Sequence, residues 1–173
     1  MDNTPAWKRP ATPDTPSLRE AAMAEALRLA SEAALAGEVP VGAVITCDGK
    51  IVGRGRNRRE EAKNALCHAE LEAIDNACRA LGGWRLHRCT LYVTLEPCPM
   101  CAGAAVNARL KKVVYGAADP RGGAFGSLLD LRELPLNHRP EVEKGFREAE
   151  CAGMLDEFFK NLRDKRETGE AKK

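Results

Sequence analysis

The chain has 173 residues, 44% hydrophobic, 30% charged and only 5% aromatic, with a formal net charge of +2. That length suits one domain able to bury a core without covalent staples, and the composition excludes global disorder. No apolar run approaches the ~18–20 residues of a bilayer span and no secretory stretch opens the chain, so no membrane and a reducing cytoplasm are expected. Seven cysteines, an odd number, then read as metal ligands, reactive groups or small core residues.

Residues 1–16 hold four of the ten prolines and one sticky side chain, Trp7, and read as a disordered N-terminal arm. A single domain over 17–166 and a basic C-terminal tail over 167–173 follow. Ser17 with Glu20 three residues on forms a capping box, and Ala22, Ala26, Leu29, Ala33 and Ala36 repeat at helical spacing until Gly37. Asp48-Gly49 between two apolar runs predicts a hairpin over 41–53, because both turn positions take positive φ. Arg54 to Asn64, with four arginines, reads as a loop. From His68, the residues Leu71, Ile74, Ala77, Cys78 and Leu81 mark a second helix ending at Gly82-Gly83. A strand over 89–95, a helix over 97–108 and a strand over 112–115 come next. Glycines and Pro120 make 119–126 a loop, Val142 marks a short strand, and 148–166 carries an apolar helical stripe. A hairpin followed by αβαβ implies a layered sheet with parallel pairing and helices on both faces.

The chemistry concentrates in Cys67-His68-Ala69-Glu70 and Pro97-Cys98-Pro99-Met100-Cys101. Zinc takes imidazole nitrogen and thiolate sulfur, and a catalytic site uses three protein ligands with water in the fourth position. His68, Cys98 and Cys101 supply three, the two thiols at i and i+3 from one helix face near its N-terminus. A structural zinc site has no use for Glu70. Beside the metal, that carboxyl can take a proton from water and hand it on, which describes a hydrolytic centre. Taken singly, C-x-x-C fits a zinc knuckle or a redox pair, His68 a buried histidine and Glu70 a solvated carboxylate. Their order along the chain selects the joint reading.

His68-x-Glu70 with Pro97-Cys98-x-x-Cys101 resembles the signature of the zinc-dependent cytidine and deoxycytidylate deaminase superfamily. The stretches 37–44 and 90–104, Asn137-His138 and Phe158-Phe159 resemble its bacterial tRNA-specific adenosine deaminases over roughly Ser17 to Arg166. The resemblance implies a three-layer α-β-α sandwich around a five-stranded mixed sheet, a homodimer, one Zn2+ per chain, and conversion of adenosine to inosine at the wobble position of a tRNA anticodon stem-loop. It makes His68, Cys98 and Cys101 the zinc ligands and Glu70 the proton shuttle. Asn57 matches a base contact, Asp119 a residue of the RNA-contacting rim, and Phe158 and Phe159 a pair near the anticodon loop, one packed and one stacking. Lys160, Arg163 and Lys165, with Arg56, Arg58 and Arg59, are the expected phosphate contacts. Cys67 and Phe125 depart from the family's pattern, the first placing a third thiol beside the site and the second a bulky ring in the glycine-rich loop.

Two other readings share parts of this pattern. A deaminase of free bases or nucleosides, such as guanine or cytosine, uses the same zinc chemistry; Asn57, Asp119, the phenylalanine pair and the basic last helix speak for a macromolecular substrate instead. A non-catalytic, zinc-stabilised RNA-binding subunit would have no need of Glu70. The four remaining cysteines, 47, 78, 89 and 151, read as packing residues.

Overall fold

The computed structural model describes residues 11–168; Trp7 and the end of the basic tail lie outside them. Helix α1 spans Pro16–Leu35, strands β1 Gly42–Cys47 and β2 Lys50–Arg56, and helices α2 Arg59–Ala62 and α3 Ala69–Leu81. Then come β3 Cys89–Leu95, α4 Pro99–Asn107, β4 Lys112–Ala117, β5 Glu141–Glu143 and α5 Glu148–Glu167. The expected loop over 54–64 thus contributes the end of β2 and the single turn of α2.

The five strands stand in the order β2-β1-β3-β4-β5. β1 runs antiparallel to both β2 and β3, while β3, β4 and β5 are parallel. The mixed sheet is as the resemblance implied, and of the strands joined through helices β2 and β3 are not neighbours. The hairpin explains this, since β1 folds back over β2 and takes the inner position, so the crossover through α3 must pass it. Asp48 and Gly49 turn that hairpin with φ of 50° and 79°, as their residue types dictate.

Alternation along the strands sorts side chains into two cores. Ala43, Ile45, Leu91, Val93, Val113 and Tyr115 pack against α3 and α4, and Val44, Tyr92 and Val114 against α1 and α5. The result is a three-layer α-β-α sandwich. The helix faces are alanine-rich because the backbones meet closely: a Cβ on Gly55 would fall 2.1 Å from the carbonyl oxygen of Ala69, and one on Gly42 1.9 Å from that of Ala26. Glycine in the strand and alanine in the helix allow no side-chain layer between α3 and β2.

Two expectations at the N-terminus change. Thr15, not Ser17, caps α1, its Oγ1 accepting from Leu18 N at 3.2 Å, because Pro16 already holds the φ of a first helical residue. Within the arm, residues 11–15 are docked rather than disordered: Asp14 accepts from Tyr92 Oη at 2.8 Å and Thr46 Oγ1 at 2.6 Å.

Candidate metal centre and pocket

Two helix starts meet at the carboxyl end of β3. His68 is the N-cap of α3 (φ −85°, ψ 150°) and Cys98 that of α4 (φ −70°, ψ 171°), both in extended conformation. Glu70 and Cys101 lie in the respective first turns. Pro99 begins α4, so Cys98 stands just before the helix as its N-cap and Cys101 in its first turn, and the two sulfurs come together at the helix start. His68 Nδ1 stands 3.8 Å from Cys98 Sγ and 3.5 Å from Cys101 Sγ, and the three donor atoms lie within 4.8 Å of one another. Tetrahedral bonds of about 2.3 Å to sulfur and 2.0–2.1 Å to nitrogen separate such donors by about 3.6 Å, so the donor set and its spacing fit a metal ion with zinc's preferences.

The cluster shares protons as well as space. A hydrogen bond from Cys101, helped by His68, pulls Cys98 down to about 4, and the same bond with burial pushes Cys101 up. Cys98 in turn raises His68. Burial lifts the Glu70 carboxyl to about 7, well above the usual carboxylate range. A carboxyl of that kind can both hold and release a proton near neutral pH.

A small cavity of about 140 Å³ opens beside the cluster. It is lined by Asn57, Arg59, His68, Glu70, Cys98 and Asp119, with Val39, Val41 and Leu95 supplying apolar walls. Asn57 is buried; its Nδ2 donates to Val39 O at 3.3 Å, and its Oδ1 has no partner among the described residues. Asp119 Oδ1 accepts from the amides of Arg121 (3.0 Å) and Gly122 (3.1 Å), which fixes the carboxylate at the rim. The cavity thus brings together six of the expected residues, Asn57, Arg59, His68, Glu70, Cys98 and Asp119, from four segments.

Other expected residues stand apart from it. Phe158 and Phe159 contact each other edge to face at 5.4 Å on α5, the first half-buried against α1 and the second 41% exposed. Lys160 and Arg163 are exposed on the same helix. Arg56 and Arg58 are both paired with Glu61, at 2.7 and 2.9 Å, and Arg58 also with Glu72, whereas Arg59 lines the cavity and has no ion pair among the described residues.

Glu96 received no role from the sequence, yet it organises the rim. Buried at the end of β3, it accepts from the amides of Asp119 (3.1 Å), Phe125 (3.0 Å) and Ser127 (3.1 Å) and from the Ser127 hydroxyl. The one available signal was an acidic residue directly after an apolar strand. Phe125, the bulky departure in this loop, is fully buried and anchors it to the core.

The family described as MafB19-like deaminase matches residues 18–163. A tRNA-specific adenosine deaminase of Bacillus subtilis is 53% identical over 83% of this chain and 90% of its own length. The chain belongs to this deaminase family. Its fold recurs in a solved structure from studies of A-to-I editing by tRNA:A34 deaminases at the wobble position of transfer RNA, with TM-score 0.74 and 43% identity over 79% of this chain and 99% of that one. The deaminase domain also aligns, at 53% identity over 83% of this chain, with a quarter of a longer Deinococcus radiodurans protein named tRNA(Ile)-lysidine synthase. No helix among the described residues of this deaminase is long and apolar enough to cross a membrane.

Proposed function

We propose that the protein hydrolyses adenosine to inosine and ammonia at the wobble position of a tRNA anticodon, with one zinc ion per chain held by His68, Cys98 and Cys101. The observation that carries the reading is the buried Glu70 carboxyl, lining one small cavity together with His68 and Cys98. When bound, zinc supplies Lewis acidity that makes water nucleophilic near neutral pH. Glu70 takes one proton of the attacking water and passes it to N1 of the base, then takes the other from the hydroxyl now on C6 and gives it to the departing amine. Its pKa of about 7 suits both directions of transfer.

The unpartnered Oδ1 of Asn57 is a buried acceptor that a base N–H satisfies, and leaving it empty costs free energy. The small cavity takes one base out of its stack, which an anticodon loop presents at lower cost than a duplex. Asp119 holds the rim. Arg59 serves as the phosphate contact at the mouth, and Lys160, Arg163 and Lys165 with the exposed ring of Phe159 form the outer RNA surface on α5. The relatives named for tRNA enzymes support this substrate, and with it a cytoplasmic location. Exposed leucines at 128, 129, 134 and 136 support the homodimer.

The deciding experiment incubates the zinc-loaded protein with anticodon stem-loops and, separately, with free adenosine, cytidine and guanine. Inosine in the stem-loop alone is the expected result, and Glu70→Ala should keep its zinc and lose the product. Ammonia only from a free base or nucleoside overturns the tRNA reading. Zinc content and RNA binding without deamination in the wild type would leave a binding module.

A further inference from the structure

At the opposite end of β1 and β3 from the metal centre lies a second pair of thiols. Cys47 ends β1 and Cys89 begins β3, and the two are directly opposite in the antiparallel ladder. Cys89 donates its amide to Leu86 O at 2.9 Å, and its carbonyl accepts from Lys111 N at 3.1 Å, so neither backbone group faces Cys47. The pair is therefore a non-hydrogen-bonded one, in which Cα atoms approach to about 4.5 Å. That falls inside the 4.4–6.8 Å window for a disulfide, and both side chains point to the same face of the sheet.

We propose that Cys47 and Cys89 are a modification site at which a hydroperoxide closes a cross-strand disulfide, independently of the metal centre. Both residues line a cavity of about 720 Å³ with Asp48, Trp84, Arg85 and Arg88, which gives a small oxidant its route to otherwise buried sulfur. The Cys89 thiol beside it holds the Cys47 thiol down, against the opposing pull of the Asp48 carboxylate 3.6 Å from Cys47 Sγ, while Cys89 is pushed up. Cys47 is thus the nucleophile. Its sulfur attacks the peroxide O–O bond, giving a sulfenic acid and one equivalent of water or alcohol. The Cys89 sulfur then displaces hydroxide from that acid, forming the S–S bond and releasing water, so that two thiols are oxidised and one peroxide reduced. The zinc-ligand thiols are at the far end of β3, six strand steps or about 20 Å away.

The test treats the zinc-loaded full chain with hydrogen peroxide, alkylates the remaining thiols and maps tryptic peptides. The expected product joins residues 29–50 to 89–109, lighter by two hydrogens, with fragmentation placing the link on Cys89, reversal by a thiol reductant and zinc retained. Cys47→Ser and Cys89→Ser should each abolish the link. Full alkylation of both cysteines, a sulfinic acid on Cys47, or a link landing on Cys98 or Cys101 overturns the proposal, and the wild-type map decides this whether or not the variants fold.

Discussion

Replacing Glu96 with glutamine tests how the pocket rim is held. The carboxylate is 2% exposed and serves three amides and one hydroxyl of the 119–127 loop. Glutamine retains one oxygen, enough for Phe125 and Ser127, but turns an NH2 toward the amide of Asp119 and the Ser127 hydroxyl. The hydroxyl can rotate and the amide cannot. One buried N–H is then left without an acceptor, at about 1–3 kcal/mol, and the bonds that remain lose their charge assistance. About 2–3 kcal/mol in all corresponds to a fall in Tm of roughly 4–12 °C for a chain of this size. Differential scanning calorimetry gives the global cost, and amide exchange at Asp119, Phe125 and Ser127 shows whether the loop opens first. Glu96→Ala should cost more, since it strands all the donors. A glutamine variant that keeps both its Tm and its exchange protection would refute this account of the rim.

Three further outcomes follow from geometry. Gly55→Ala should cost about 3 kcal/mol or more and lower zinc below one per chain by metal analysis, because its Cβ meets Ala69 O at 2.1 Å and Ala73 N at 2.7 Å, backbone atoms that cannot step aside. The Arg28 and Arg54 hydrogen bonds hold Glu25 at about 2, so the unfolded carboxyl binds its proton more readily than the folded one. Glu25→Gln should therefore lose about 1 kcal/mol at pH 7 after solvent screening, and the difference from wild type should shrink as pH falls from about 4.5 toward 2; urea midpoints across that range check it. Phe159→Ala should weaken anticodon stem-loop binding by roughly 5–150-fold, the worth of one stacked base, with Tm unchanged, whereas Phe158→Ala should lower Tm; equal affinities for wild type and Phe159→Ala would remove that ring from the RNA surface.

The His68, Cys98 and Cys101 cluster was legible because metal-binding donors come at particular spacings, and these residues stand in order, with Glu70, between strong helix and strand signals. Strand β3 and the Asp48-Gly49 turn were likewise written locally, by alternation and by positive φ. What local pattern does not encode is competition between distant segments. Nothing around residue 89 says that β3 pairs with β1 rather than β2, and nothing beside Glu96 says that its acceptors are filled by a loop more than twenty residues on. Cys47 and Cys89 each looked like an ordinary core residue, since only the ladder register sets them opposite one another. The cap at Thr15 escaped notice because a proline-rich stretch reads as arm until the helix it starts is seen.

The contact of α3 with Gly55, and of α1 with Gly42, also bears on motion. Helices that rest throughout on interdigitated side chains can shear by small rotamer changes, but at Gly42 and Gly55 these two meet bare backbone and are pinned there. The sheet and the first turn of α3 consequently move as one plate, and His68 and Glu70 ride on it without independent freedom. The 57–64 and 119–127 segments flank this pinned centre, and the second is tied to the core through Glu96 and Phe125, so the pocket is framed by the fold on both sides.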